Sequence, residues 1–390
     1  MKKNRPVVWI VSVVAVVCVL AGAGIGLWYG VWGGPKGASS SSPSSPSPTS
    51  TVVEFADQPT GYELYNPKRA KLRFNKNGSF KIATYGDLHY GETPSTAWGP
   101  LQDASSTGVL EAVLLAENPD FSIYMGDQIT GEFMFSNASL YYQILTKPLR
   151  DSNFRWAAVY GNHDTGPNFA SIDLLNTEQM YSLSHTQRGF SNITGITNYW
   201  LPVYGSTPNA TMFNGVEVPT MILWFFDSNG NASMAPTDPL NYNKVRADQT
   251  QWFINEHANV VARYGRNITG LAFFHIPPPE YQDLDSAFPS GCAGMHNEIP
   301  MAVQALPEEG FFAALVSSGT IRATYAAHAH GSGWCCPYSV ANMELCQVRH
   351  TGFGGYDEVT WAKGSRIIQI SESTPTQRTT WVRTLTGTEQ

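Results

Sequence analysis

Histidine, aspartate and asparagine recur in this chain where short apolar runs stop. Phe80 to Tyr85 is followed by Gly86-Asp87-Leu88-His89, Phe121 to Met125 by Gly126-Asp127-Gln128, and Trp156 to Tyr160 by Gly161-Asn162-His163-Asp164. Leu271 to Phe274 is followed by His275, and Ile321 to Ala327 by His328 and His330. Alternate residues of a strand face the same side, so His328 and His330 can address one object. Taken singly, Gly-Asp and Gly-Asn are ordinary turn residues, and a lone histidine after a strand is usually a hydrogen-bonding group. Turns do not ask for histidine, however, and the joint pattern points to a metal. The carboxylate, amide and imidazole donors of Asp87, His89, Asp127, Asn162, His275, His328 and His330 suit Mn, Fe or Zn better than Ca or a thiolate-bound ion. They are too many for one such ion. Two ions about 3.5–4 Å apart sharing a carboxylate would use them all, and that arrangement displaces oxygen at phosphate esters.

These donors need a scaffold that brings strand ends together. The spacing of apolar residues predicts strands at Phe80 to Tyr85, Phe121 to Met125, Trp156 to Tyr160, Thr220 to Phe226, Leu271 to Phe274 and Ile321 to Ala326. Helices are expected at Thr107 to Glu117, Ser139 to Leu149, Ala247 to Tyr264 and Gly310 to Ser317. Alternating strands and helices argue for an α/β fold with mainly parallel pairing near its centre, whose ligands sit beyond the carboxyl ends of the strands. Gly166 to Pro219, rich in Asn, Thr, Gly and Pro, reads as an ordered insertion over one face, and Leu345 to Ile370 as added antiparallel strands.

The order DxH, GD, GNHD, H, HxH over Asp87 to His330 resembles the calcineurin-like metallophosphoesterase superfamily. AFFHIPPPEY, GFFAALVSSG and CQVRHTGFGGY are most similar to its purple acid phosphatase-related branch of fungi and plants, and the likeness covers nearly everything after residue 53. The resemblance implies a β-sandwich core flanked by helices, which refines the doubly wound expectation. It implies that Asp87, His89 and His330 hold one ion, that Asn162, His275 and His328 hold the other, and that Asp127 bridges them. His163 would be the catalytic histidine beside the scissile ester, with Asp164 placed to orient it. The implied reaction is phosphate-ester hydrolysis, a monoester before a diester, with a non-catalytic glycosylated surface binding module as the rival of a different class. Three departures stand out: unlike true purple acid phosphatases, the chain has Thr130 in place of their tyrosine, so the tyrosinate-to-iron colour is not expected, and it has His89, which they lack; and Ala327 replaces the glycine of the family's GHxH before the last two histidines. If that glycine position needs positive φ, alanine there costs about 1–2 kcal/mol.

Charged residues make up 14% of the 390 residues, against roughly 25% in an average soluble domain, and the net charge is −7. Nucleic acid is therefore not an expected partner. Lys2, Lys3 and Arg5 precede an uncharged stretch from Val7 to Trp32, long enough to cross a bilayer with the amino terminus cytosolic. Residues 1–33 are expected to be a signal anchor, although Ala21-Gly22-Ala23 also suits cleavage and secretion. Residues 34–53 form a Ser/Pro linker and 54–390 the phosphoesterase domain, lumenal or extracellular in the secretory pathway, a vacuole or the cell surface. Sequons at Asn77, Asn137, Asn192, Asn209, Asn231 and Asn267 fit an exported body. So do Cys292, Cys335, Cys336 and Cys346, from which two disulfides are expected in any of three pairings. His185, His350 and Arg349 could reach a substrate phosphate, but a loop hydrogen bond for the histidines and a surface position for the arginine are the ordinary readings. His257 falls on a solvated helix face, and His296 carries no readable signal.

Overall fold

In the computed structural model, residues 69–230, 243–299, 301–303 and 307–389 are described. The expected anchor and linker, and Asn231, lie outside these residues. The apolar runs become strands buried on both faces, which is why they read as continuous rather than alternating. In chain order the strands are β1 Leu72–Arg73, β2 Ser79–Tyr85, β3 Phe121–Met125, β4 Trp156–Val159, β5 Tyr199–Tyr204, β6 Met212–Phe213, β7 Val216–Glu217, β8 Met221–Phe225, β9 Thr269–Phe273, β10 Ala293–His296, β11 Ile321–Ala326, β12 Ser332–Tyr338, β13 Met343–Gln347, β14 Gly364–Ser371, β15 Arg378–Thr384 and β16 Thr388–Glu389. The helices are α1 Trp98–Glu117, α2 Ala138–Leu145, α3 Lys147–Asp151, α4 Ser171–Glu178, α5 Ala247–Tyr264, α6 Pro279–Ala287 and α7 Phe311–Ser318.

Two mixed sheets carry the fold, in the orders β1-β5-β8-β9-β11-β13-β12-β10 and β16-β15-β14-β2-β3-β4, with β6 and β7 forming a separate ribbon. Alternate residues of each strand separate into layers. Phe80, Ile82, Phe121, Ile123, Leu223, Phe225 and Phe273 fill the space between the sheets. Tyr85, Tyr124 and Trp156 turn outward under α1 to α4, and Trp200, Ile222 and Trp224 turn outward under α5 and α7. An aromatic ladder, Tyr199 on Phe225 at 4.5 Å, Phe225 on Phe273 at 5.4 Å and Phe273 on Tyr325 at 5.2 Å, crosses four strands. Each such pair adds about 0.5–1.5 kcal/mol beyond its burial. The result is a mixed α/β fold, a two-sheet sandwich with helices on both outer faces.

Four expectations need correction. The segment from Gly166 to Pro219 is not merely an insertion over one face: it supplies β5, buried at all six residues and paired with β1 and β8. Pro202 disguised it, because proline within a run argues against a central strand. Helix α1 begins at Trp98 rather than Thr107, although its first turns contain the poor helix formers Gly99 and Pro100. Its early residues are held by the neighbouring loop: Gln102 Nε2 donates to His89 O at 3.0 Å, and Gly91 N–H donates to Asp103 Oδ1 at 3.0 Å. Ser139 to Leu149 divides into α2 and α3 around Thr146, where Pro148 starts a new helix. In Leu345 to Ile370, β14 is antiparallel to β2 as expected, but β13 runs parallel to β11.

Strands β2, β3 and β4 are parallel in one sheet, and β8, β9, β11 and β13 are parallel in the other. Parallel strands deliver their carboxyl ends to the same edge of a sheet. The loops at Gly86, Gly126, Gly161, His275 and His328 therefore open together.

Candidate metal centre

The loops are held against one another by backbone hydrogen bonds. Asp87 N–H donates to Gly126 O at 3.2 Å, His89 N–H to Asp127 O at 2.9 Å and Ala327 N–H to His275 O at 2.9 Å. Asp87, His89, Asp127 and His328 adopt left-handed backbone, with φ of 56°, 50°, 49° and 74°. Non-glycine residues rarely do so, and such strain concentrates at functional sites. Ala327 is not among them, so the cost foreseen for losing a glycine there does not arise; the neighbouring His328 takes the positive φ. The glycines before the donors answer to crowding. A Cβ on Gly126, which also has φ +93°, would stand 2.5 Å from His275 Nδ1, and one on Gly161 would stand 2.2 Å from Asp127 Oδ1.

Two groups of buried donors result. Asp87, His89 and His330 form one, and Asp127, His275 and His328 the other, with ligand-capable atoms inside each group within 4.8 Å of one another. Asp127 Oδ2 lies 3.1 Å from His275 Nε2 and 3.7 Å from His89 Nε2, so one carboxylate oxygen faces an imidazole of each group. Asn162 Oδ1 is 3.2 Å from His275 Nε2. Asp87 Oδ1 accepts from His328 N–H at 3.0 Å and lies 3.7 Å from His330 Nε2. All seven sequence-identified donors thus converge on one edge.

Several observations fit this pocket to cations. His275 Nδ1 donates to Met125 O at 2.9 Å and His330 Nδ1 to Tyr356 O at 2.6 Å, which points both Nε2 atoms inward, the orientation that metal-binding imidazoles adopt. His89 Nε2 and Asn162 Nδ2 are buried without a hydrogen-bond partner among the described residues. Burial pushes His89 and His328 down to about 3 and His330 well below the usual histidine range, leaving three neutral imidazoles. Burial lifts Asp87 to about 7. For Asp127 burial acts upward, but the facing His275 and His163 outweigh it and hold the carboxyl well below its ordinary value. His275 rises to about 9, because the attraction of Asp127 overcomes its burial. Two buried carboxylates side by side are costly without nearby positive charge.

His163 stands next to this cluster, with its ring 5.0 Å from that of His89 and its N–H donating to Asp127 Oδ1 at 2.8 Å. Its Nδ1 pairs with Glu132 Oε1 at 2.6 Å. Asp164, expected to orient it, does something else: Oδ1 accepts from Gln128 N–H at 2.8 Å and Oδ2 from Gly161 N–H at 2.9 Å, tying the two loops together. Glu132 was not legible because it sits in a short 3-10 turn, Gly131–Phe133, with no motif around it. Thr130 Oγ1 lies 3.3 Å from His89 Nδ1. The residue in place of the tyrosine therefore contacts the added histidine.

The remaining histidines divide. His350 is buried with its ring 3.9 Å from His330, and its Nδ1 accepts from Lys363 Nζ at 2.8 Å. His185 is buried at the edge of Phe121, away from both donor groups. Arg349 is not a surface residue; it is buried and donates to Ala362 O at 2.9 Å. His257 is half-buried, 3.1 Å from Thr320 Oγ1, and His296 stacks on Phe288 at 4.0 Å. A cavity of about 510 Å³ opens onto the centre, lined in part by His89, Asp127, Glu132, Phe133, His163 and Tyr356.

The family model for calcineurin-like phosphoesterases matches residues 80–306, a stretch that ends before His328 and His330. An Arabidopsis thaliana protein named probable inactive purple acid phosphatase 29 is 26% identical over 322 residues, covering 78% of this chain and 79% of that protein. Phosphatase DCR2 of Saccharomyces cerevisiae is 26% identical over 228 residues, covering 55% of this chain and 38% of that protein. The crystal structure of a dimetal phosphatase from Danio rerio aligns with a TM-score of 0.47 at 14% identity, covering 77% of this chain and 98% of that one.

Proposed function

The chain belongs to the calcineurin-like phosphoesterase family, a group of metal-dependent phosphate-ester hydrolases, and from that premise we propose that it hydrolyses phosphate monoesters at the centre built by Asp87, Asp127 and their histidines. The carrying observation is the convergence of two buried Asp/His groups on a carboxylate they share. Asp87, His89 and His330 would hold one ion, Asn162, His275 and His328 the other, and Asp127 would touch both. Mn, Fe or Zn ions bound there would acidify an attacking water and neutralise phosphoryl oxygens. The chain's own residues do the rest. His163 has Nδ1 engaged by Glu132, so the proton it can give to the departing ester oxygen is on Nε2. Water adds at phosphorus as the ester P–O bond breaks, and the alcohol leaves with that proton. The Arabidopsis relatives named probable inactive favour the other reading, a binding module; the complete donor set here favours the enzyme.

Purified protein with Mn, Fe or Zn is expected to turn over p-nitrophenyl phosphate faster than the bis ester, and Asp127→Ala to lose at least about 100-fold in kcat/KM. Equal rates for wild type and variant would refute the assignment; a faster bis-ester rate would make it a diesterase.

The proposal extends to the compartment. Cys292–Cys336 and Cys335–Cys346 are paired as disulfides. Asn77, Asn192, Asn209 and Asn267 are exposed. Both features suit a lumenal or extracellular body carried behind a signal anchor at residues 1–33.

A further inference from the structure

Tyr356 lies at the mouth of the cavity and remains 48% exposed, yet it is among the most heavily engaged side chains near the donors. Its ring stacks on the His330 imidazole at 4.0 Å and 3°. Its carbonyl takes the His330 Nδ1 proton, and its hydroxyl accepts from His330 N–H at 3.0 Å. The hydroxyl proton faces Glu298, whose two oxygens are both 2.9 Å away, with His328 O a more distant acceptor at 3.2 Å. Glu298 Oε2 also accepts from Gly331 N–H at 2.8 Å, the residue after His330. Gly355 makes the stacking possible: with φ +71°, its Cβ position would fall 2.5 Å from His330 Cε1, so only glycine lets the backbone pass there.

We infer that the side chains of Tyr356 and Glu298 are a positioning pair that fixes the ring plane and backbone of His330, and thereby the affinity of the Asp87/His89/His330 group for its ion. The inference rests on the metal reading proposed above. The Tyr356 ring and hydroxyl contact the ring and the backbone N–H of His330, and partners of this kind are commonly worth 10–100-fold in metal affinity. A half-exposed tyrosine held only for general stability would spread its effect over the fold.

The test is calorimetric titration of the metal-stripped full chain with Mn(II), with bound metal counted by elemental analysis. Wild type is expected to bind two ions. Tyr356→Ala should weaken one of them by about 10–100-fold while leaving the other unchanged, and Tyr356→Phe, which keeps the ring, should lose less. Where the alanine variant does not fold, Tyr356→Phe and Glu298→Gln carry the test, each with a several-fold loss at one ion only. Unchanged affinity for both ions in these variants, or equal weakening of both, overturns the inference and leaves the metal reading standing. No ion bound by wild type removes the metal reading and the inference with it.

Discussion

At the scale of single residues, His163 is distinguished by its surroundings rather than its motif. Burial opposes its charge, but Asp127 and Glu132 outweigh burial and lift it to about 9, so the ring carries a proton at neutral pH. A proton donor matters most when the departing oxygen is basic. His163→Ala is therefore expected to slow an alkyl phosphate by about 10²–10⁴-fold and p-nitrophenyl phosphate much less, since nitrophenolate leaves unaided. Glu132→Gln should give the same asymmetry in weaker form. Steady-state kcat on both esters checks this, and an equal loss on the two would remove the acid role. The strand-exit positions of Asp87, His89, Asp127, Asn162, His275, His328 and His330 were legible because each follows an apolar run, a local signal. Glu132 was not, because its pairing with His163 is set by the path of a turn carrying no periodicity.

At the scale of elements, the parallel strands were legible and the short or disguised ones were not. Strand β5 contains Pro202, and β1 is only two residues long. The short strand is secured by charge instead. Arg73 grips Glu217 of β7 through two hydrogen bonds of 2.7 and 2.8 Å, and Lys71 Nζ adds a third at 2.9 Å. Burial alone would raise the Glu217 carboxyl, but Arg73 and Lys71 prevail and bring it down to about 2, from 4.5 in the free side chain. A depressed carboxyl pKa stabilises the fold above about 4.5, and that stability drains away as pH falls towards 2. Glu217→Gln should therefore cost about 1–3 kcal/mol at pH 7 and flatten the loss of stability between those pH values. Urea unfolding across that range measures it; parallel curves for variant and wild type would show that the ion pair contributes nothing.

At the scale of the whole molecule, the centre joins loops from both sheets, so occupancy and global stability are linked. Metal at 100 times its dissociation constant should stabilise the chain by about 2.7 kcal/mol, and chelation should lower Tm by the corresponding amount. Thermal unfolding with Mn(II) and with EDTA tests this, and a Tm indifferent to both would mean that the fold holds no ion. By itself the sequence determined the family and the order in which aspartate, asparagine and histidine follow the strands, because strand exits and turn residues are written locally. Only the tertiary structure decided which donors face each other, which of the three disulfide pairings forms, and which side chains orient His163 and His330. The reason is separation along the chain: His275 leans on Met125 across 150 residues, and His328 on Asp87 across 241. Contacts that distant arise from how two sheets stack, and no short stretch of sequence contains them.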